Sequence, residues 1–280
     1  MISLLTHLLI ELNTELVQGF LIGTLISAIV AFASYKVKFL TLSGSIATFL
    51  LAGLIFGLGG IKWSVPILTF FILSSILSKL RKKRNAEVEI FFEKSGVRDH
   101  FQVIANGGLG GVLVILYAIY TNELFYLIYL AALSAVCADT WATEIGTWKK
   151  TATYNILNLE PIEQGTSGGI SIIGSIGAML GSFAIALSGI GWIEIAYIQY
   201  VILILLAGLF GSFFDSVLGA TIQEQNKCSV CNKVTEKQIH CGTQADHFKG
   251  YSWINNDMVN FLSGIAGALL IIILKSMIKF

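Results

Sequence analysis

The chain has 280 residues, of which 55% are hydrophobic and 12% are charged, and its formal net charge is +1 at pH 7. Soluble domains carry about 25% charged residues, and the mean hydropathy of this chain is +0.78. The composition therefore excludes an ordinary soluble domain, and the balanced charge gives no reason to expect a nucleic-acid partner.

Apolar runs of about 20 residues, the length of a bilayer-crossing helix, recur along the chain. They predict eight spans, at residues 16–34, 40–58, 64–79, 104–120, 124–139, 169–189, 196–215 and 256–274. We expect an all-α, polytopic transmembrane helix bundle that forms a single integral membrane domain over residues 1–280. Threading the spans leaves larger loops at 80–103, 140–168 and 216–255 on one side, and short loops on the other.

Basic residues are distributed unequally between the two sides. The side with the larger loops holds 15 of the 18 lysines and arginines. By the positive-inside rule these loops are cytoplasmic. The sequence therefore predicts a multi-pass protein of the cell membrane, with both termini outside and its functional residues at the cytoplasmic face.

Polar motifs mark the cytoplasmic ends of five spans. In chain order they contain Asn106, Asp139, the glycine-rich turn 165–171, Asp215, and the segment 255–260. The topology follows from the basic residues alone, yet it brings every motif to one face.

Two of these motifs place an acid at a predicted helix C-terminus. The helix dipole disfavours negative charge there, so Asp139 and Asp215 both occupy costly positions. A divalent cation would relieve that cost, and Mg²⁺ is the usual cation where carboxylates meet substrate phosphates. The alternative is a pair of carboxylates that are solvated or hydrogen-bonded to neighbouring Ser and Thr.

The turn Gly165-Thr166-Ser167-Gly168-Gly169 precedes a predicted helix, where free N–H groups favour a phosphate. It lacks the Gly-Lys-Ser/Thr of a P-loop, and an ordinary glycine turn is the alternative. Arg98, Gln102 and Asn106 are spaced four apart, which would put them on one helix face leading to the same region. Alternatively, the basic loop end only anchors the chain to anionic headgroups.

The cytoplasmic loop 224–250 contains Cys228, Cys231 and Cys241 with two histidines, His240 and His247. A Cys-x-x-Cys pair followed by Cys and His predicts a structural zinc knuckle, since disulfides are rare in the cytoplasm. The fourth ligand is either histidine. Reduced, unligated thiols are the alternative.

The motif segments together resemble those of the transmembrane protein 19 family of integral membrane proteins, which includes the plant phytyl-phosphate kinase. The resemblance covers residues 15–275 and rests on segments 102–107, 138–146, 165–171, 215–221 and 256–260. It implies transfer of a phosphoryl group from a nucleoside triphosphate, with CTP favoured, to a polyprenyl or phytyl monophosphate. The cysteine loop departs from eukaryotic relatives, so we expect it to be structural.

Roles follow from this resemblance for the residues of the motifs. Asp139 and Asp215 would hold Mg²⁺, the 165–169 turn would hold a phosphate, and Glu144 would be a further ligand or a base. Asn106, Asn256 and Asn260 would orient oxygens of the substrates. The other polar residues would bind the substrate or its phosphate, and they are Arg98, Gln102, Ser171, Ser216 and Asp257. The oligomeric state stays open.

Two other functions remain as alternatives. A transporter usually carries ionisable residues near the bilayer midplane, and the predicted spans have none there. A CTP-dependent lipid cytidylyltransferase would use the same nucleotide but release pyrophosphate. A purely structural membrane protein would have no need of two carboxylates at helix ends.

Overall fold

The computed structural model describes residues 2–85, 88, 91–92, 96–193 and 197–277, with the side chains of all of these except 2–16 and 197. Within them, seven helices are long and apolar enough to cross a membrane. They are α1 (Ile2–Lys36, with Val17–Lys36 as its apolar part), α2 (Leu42–Arg84), α3 (His100–Tyr120), α4 (Glu123–Gly146), α5 (Ile172–Ile190), α6 (Tyr197–Thr221) and α7 (Asn256–Met277). The predicted fold class, a helical membrane bundle, is confirmed.

The eight predicted spans agree with seven helices because α2 turns back on itself. Its 43 residues are interrupted at Gly60, which has φ 59° and ψ −154°. Leu51 and Ile67, on opposite sides of Gly60, both lie against Gly107 of α3. In one straight helix these two residues would be about 24 Å apart, at 1.5 Å per residue. The two halves, residues 42–59 and 61–84, are therefore separate crossings.

Helix α4 is the centre of the bundle and contacts α2, α3, α5, α6 and α7. Every residue from Tyr126 to Ala138 is buried. Glycines let α5 lie against its backbone: a Cβ on Gly177 would be 2.5 Å from the Trp141 carbonyl oxygen, and one on Gly181 would be 2.7 Å from that of Cys137. Small residues at such contacts are typical of helix association in lipid.

Apolar side chains also cover the outside of the bundle. On α1, Leu21, Leu25 and Phe32 are each at least 64% exposed. A soluble protein would bury such residues, whereas a membrane protein presents them to lipid. The chain is therefore an integral multi-pass membrane protein.

The longer connections all meet at one end of the bundle, which we call the loop-bearing end. Asn85 donates a hydrogen bond to the Thr147 carbonyl (2.8 Å), and Thr235 donates one to the Phe91 carbonyl (3.3 Å). These connections contain short strands: β1 (Tyr154–Asn155) with β2 (Gly169–Ile170), then β3 (Gln225–Lys227), β4 (Val234–Thr235), β5 (Ile239–His240), β6 (Thr243–Gln244) and β7 (Asp246–Lys249). Strand β3 pairs antiparallel with β4 and β7, and β5 pairs with β6.

Candidate functional site

A polar cavity of about 220 Å³ lies at the loop-bearing end. It is lined from the second half of α2, from α3 to α7, and from the connections between them. Its lining includes sixteen residues singled out from the sequence: Arg98, Gln102, Asn106, Asp139, Glu144, Gly165, Thr166, Ser167, Gly168, Gly169, Ser171, Asp215, Ser216, Asn256, Asp257 and Asn260. Segments that are far apart in the chain therefore share one space.

Asp139 of α4 and Asp215 of α6 both line this cavity, and their carboxyl groups lie next to each other. The prediction that both residues end their helices is wrong. Helix α4 continues to Gly146 and α6 to Thr221, because the apolar run ends at each Asp while backbone hydrogen bonding does not. The electrostatic cost of these two acids therefore comes from their burial next to each other, and not from the dipole of a helix C-terminus. Among the described residues, the buried Oδ2 of Asp215 has no hydrogen-bond partner.

Glu236 is a further acid of the cavity, and no sequence motif indicated it. It follows β4, and its Oε1 accepts hydrogen bonds from the Ser167 hydroxyl (2.7 Å) and the Gln223 amide (2.8 Å). It lines the same cavity as Asp139 and Asp215 and lies near both. Acids are common in polar loops, so only the position of Glu236 next to a predicted metal knuckle could have drawn attention to it.

Glu144 lies at the edge of the cavity in a buried ion pair. One carboxylate oxygen accepts from Arg81 Nε of α2, and the other accepts from the hydroxyl of Ser78. The side chains of Arg81 and Glu144 are 3% and 10% exposed. In the sequence, Arg81 is one of several basic residues of a predicted cytoplasmic loop, so this pair could not be predicted from it.

The spacing of Arg98, Gln102 and Asn106 does not put them on one helix face. Helix α3 begins at His100, so Arg98 lies before it, and Gln102 forms a capping box with Asp99. The buried Arg98 guanidinium donates to the Ser75 hydroxyl (2.7 Å). Burial lowers the pKa of Arg98, an effect that Glu144 opposes. The buried Oδ1 of Asn106 accepts no hydrogen bond from the described part of the chain.

The glycine-rich turn needs its glycines, since Gly165 and Gly168 have φ values of +93° and +84°. It does not open α5 directly: β2 intervenes, and Ser171 is the N-cap, accepting from the Gly174 N–H. The N–H groups of Thr166 and Gly169 are engaged in local hydrogen bonds. A phosphate held by this turn would therefore be met by its hydroxyls and its remaining N–H groups.

The first turn of α7 completes the cavity lining. Asn255 caps the helix by accepting a hydrogen bond from the Met258 N–H (3.1 Å). Asp257 is buried in this first turn, where the helix dipole favours negative charge. Asn256 and Asn260 lie on the same side, so α7 contributes two amides and one acid.

The cysteine loop forms a separate cluster of metal-ligand type. The ligand atoms of Cys228, Cys231, His240 and Cys241 lie within 4.8 Å of one another. The Nδ1 of His240 is 3.5 Å from the Cys231 sulfur and 3.2 Å from that of Cys241. Ligand atoms around tetrahedral Zn²⁺ are about 3.3–3.8 Å apart for bonds of 2.0–2.3 Å. The cluster could hold a metal ion.

Two turns bring these ligands together. Cys228 and Cys231 lie in the β3–β4 turn, and Cys241 lies in the β5–β6 turn. A backbone hydrogen bond from Cys231 lowers the pKa of the Cys228 thiol to about 6, whereas side-chain hydrogen bonding to Cys231 raises that of Cys241 to about 11. His247, the other ligand that the sequence allowed, lies outside the cluster. Its Nε2 atom is 3.1 Å from the Gly250 carbonyl oxygen.

A family model for the integral membrane protein DUF92 matches residues 25–268. The chain belongs to the DUF92 family. The match covers all the cavity-lining segments, and it confirms the family-level resemblance drawn from the motifs.

Proteins similar to this chain occur in a plant and in an archaeon. Protein PGR of Arabidopsis thaliana is 32% identical over 86% of this chain and 91% of its own length. An uncharacterized membrane protein of Methanocaldococcus jannaschii is 27% identical over 73% of this chain and 83% of its own. Protein VTE6, a chloroplastic protein of Arabidopsis thaliana, is 23% identical over 85% of this chain and 66% of its own. No solved structure gives a significant match.

Proposed function

We propose that this DUF92 protein is a membrane-embedded kinase. It transfers the terminal phosphoryl group of a nucleoside triphosphate, with CTP favoured, to a polyprenyl or phytyl monophosphate and so forms the diphosphate. The observation that carries the proposal is the contact between Asp139 and Asp215 in a polar cavity beside the lipid-facing helices. The family resemblance supplies the substrate class.

The acids of the cavity fit a hard divalent cation. Two carboxylates in contact, with Glu236 nearby, repel one another unless a cation or a shared proton compensates their charge. In the described part of the chain, the buried oxygens Asp215 Oδ2 and Asn106 Oδ1 have no hydrogen-bond partner, and oxygen is the ligand type that Mg²⁺ selects. Asp139 and Asp215 would therefore hold Mg²⁺, with Glu236 as a further acid. Mg²⁺ at such a site neutralises phosphate charge during phosphoryl transfer.

The acceptor in this reaction requires no general base. The second pKa of a phosphate monoester is about 6, so the attacking oxygen is already ionised at neutral pH. This oxygen forms a bond to the γ-phosphorus while the bond from the γ-phosphorus to the bridging oxygen breaks, and the nucleoside diphosphate leaves. Glu144, whose oxygens are engaged by Arg81 and Ser78, then acts in positioning rather than as a base.

Other lining residues position the two phosphate-bearing substrates. Ser167, within the glycine-rich turn, is oriented by its hydrogen bond to Glu236, so the turn and the acids form one unit. Asn256 and Asn260 present amides from α7, and Arg98 provides a buried positive charge. Ser171 and Ser216 contribute hydroxyls. Binding and charge compensation are the main requirements for phosphoryl transfer.

The proposed site of action is the cytoplasmic face of the cell membrane. The loop-bearing end carries most of the basic residues, and the positive-inside rule assigns such loops to the cytoplasm. A lipid phosphate can reach the cavity from the bilayer while the nucleotide and Mg²⁺ arrive from the cytosol. With eight crossings, both termini would be outside.

We also propose that the cysteine loop 224–250 binds structural Zn²⁺ through Cys228, Cys231, His240 and Cys241. Three sulfurs and one imidazole are a common ligand set of structural zinc sites. The loop contains β4 and Glu236, so the ion would stabilise the segment that places Glu236 in the cavity.

The decisive experiment incubates purified protein in lipid nanodiscs with γ-labelled CTP or ATP, Mg²⁺ and a panel of prenyl monophosphates. Label in a lipid diphosphate supports the kinase. Label recovered only in pyrophosphate identifies a cytidylyltransferase instead. Absence of turnover with every lipid and nucleotide contradicts both enzymes and directs attention to transport, which liposome uptake of the same compounds would measure.

A further inference from the structure

We propose that an apolar groove beside the polar cavity holds the part of the isoprenoid chain next to the phosphate. The groove lies between α1, the two halves of α2, and α3. This inference rests on the proposed function, because it assigns the apolar part of the same substrate to a defined site.

Apart from Thr48 and three polar residues that it shares with the polar cavity, the groove is lined by apolar side chains and one glycine. Val30 comes from α1, Ala52 and Phe56 from the first half of α2, Leu68 and Phe71 from the second half, and Val103 from α3. Its volume is about 60 Å³. It therefore suits only a short length of chain, and the rest of a long isoprenoid would stay in the bilayer.

Arg98, Gln102 and Asn106 line both the groove and the polar cavity. They are the boundary between the two spaces. The Arg98 guanidinium lies against the rings of Phe70 and Phe71 (5.5 and 5.6 Å to the centroids) and donates to Ser75. A lipid phosphate at this boundary would meet a positive charge and an amide, while its chain would continue along apolar side chains.

Lipid can reach the groove from the side of the bundle. The groove is not sealed within the bundle, because these apolar lining residues are all partly exposed: Val30, Ala52, Phe56, Leu68, Phe71 and Val103. Surfaces of this kind on a membrane protein face acyl chains. An amphiphile could therefore enter from the bilayer without its chain crossing water.

We expect the groove to fix the position of the isoprenoid chain, and not to add hydrophobic binding free energy. A bilayer is as apolar as the groove, so transfer of the chain between them yields little free energy. Its effect is to fix the phosphate in the cavity, which lowers the cost of orienting it for transfer. A large side chain that fills the groove should therefore leave the lipid phosphate less well fixed in the cavity, while the residues of the polar cavity stay in place.

The test is photo-crosslinking in nanodiscs with a farnesyl monophosphate that carries a diazirine on its first isoprene unit. We expect label in residues 48–56, 67–71 and 103–107, and at least fivefold less of it in Ala52→Phe. Val103→Phe is the second filling variant in case the first does not fold. Ala28→Phe, at an exposed position of α1, is the matched control and should keep the wild-type pattern.

Crosslinking and turnover are read separately, so the two proposals can fail separately. Label in the groove with no phosphoryl transfer keeps the groove and overturns the kinase. Phosphoryl transfer with label elsewhere, or with equal label in Ala52→Phe, Val103→Phe and Ala28→Phe, overturns the groove.

Discussion

Arg81 of α2 and Glu144 of α4 form a buried ion pair although 63 residues separate them in the chain. The pair joins the second half of α2 to the central helix at the edge of the cavity. Glu144 also accepts a hydrogen bond from Ser78, so two contacts fix its carboxylate. The orientation of these two helices therefore depends on the pair.

Breaking this ion pair from one side should destabilise the protein. Glu144→Gln and Arg81→Met each remove one charge of a buried ion pair, a loss of about 3–5 kcal/mol of unfolding free energy. The double variant should lose much less than the sum of the two. Denaturant unfolding in detergent measures this double-mutant cycle, and additive losses would show that the two residues do not interact.

Asp139→Asn and Asp215→Asn should each reduce turnover at least a hundredfold. Losing a metal ligand removes charge stabilisation of several kcal/mol, and about 1.4 kcal/mol corresponds to a factor of ten in rate. Stability should be unchanged or higher, because one of two contacting acids has been neutralised. Asp246→Asn, at an exposed position on β7, is the control. Near-normal turnover in either variant would remove that residue from the proposed site.

Glu236→Gln should raise the Mg²⁺ concentration required for half-maximal activity by about tenfold or more, with partial recovery at high Mg²⁺. The amide oxygen can still accept hydrogen bonds from Ser167 and Gln223, so the loop stays in place while the charge is lost. Glu160→Gln, an exposed acid of the same end, provides the comparison. An unchanged Mg²⁺ dependence would mean that Glu236 only supports the turn.

The purified protein should contain about one equivalent of Zn²⁺ when no chelator is used. His240→Ala and Cys228→Ser should lose most of it, because each removes a member of the cluster. His247→Ala should retain it, since that side chain lies outside the cluster. Elemental analysis of the wild type and the three variants measures the zinc content of each protein. A metal-free wild type, or metal loss in His247→Ala alone, would contradict this ligand set.

Both ends of the bundle can be assigned to compartments by cysteine labelling. Asn122→Cys, between α3 and α4, should react with an impermeant maleimide in intact cells, whereas Lys149→Cys should react only after the membrane is opened. Both positions are exposed, so accessibility does not bias the comparison. The reverse pattern would invert the proposed orientation and move the cavity to the outer face.

The sequence predicted the bundle and the gathering of the motifs because apolar run length and basic-residue placement are local properties that the bilayer constrains directly. It misplaced the ends of α4 and α6, since an apolar run shows where lipid contact ends and not where the helical backbone ends. It missed Glu236 and the partner of Glu144, because both depend on which distant segments meet. The sequence also left open which histidine lies beside the thiols, and the β5–β6 hairpin places His240 there and not His247.

The position of Glu236 also determines when the site is complete during biosynthesis. As a nascent chain is made, α4, α5 and α6 can bring Asp139, the glycine-rich turn and Asp215 together first. Glu236 joins them only after the cysteine loop has been translated and folded on its own side of the membrane. The amides of Asn256 and Asn260 follow with the insertion of α7. A partly synthesised chain therefore has an incomplete cavity, and the last loop and helix are the elements that make it whole.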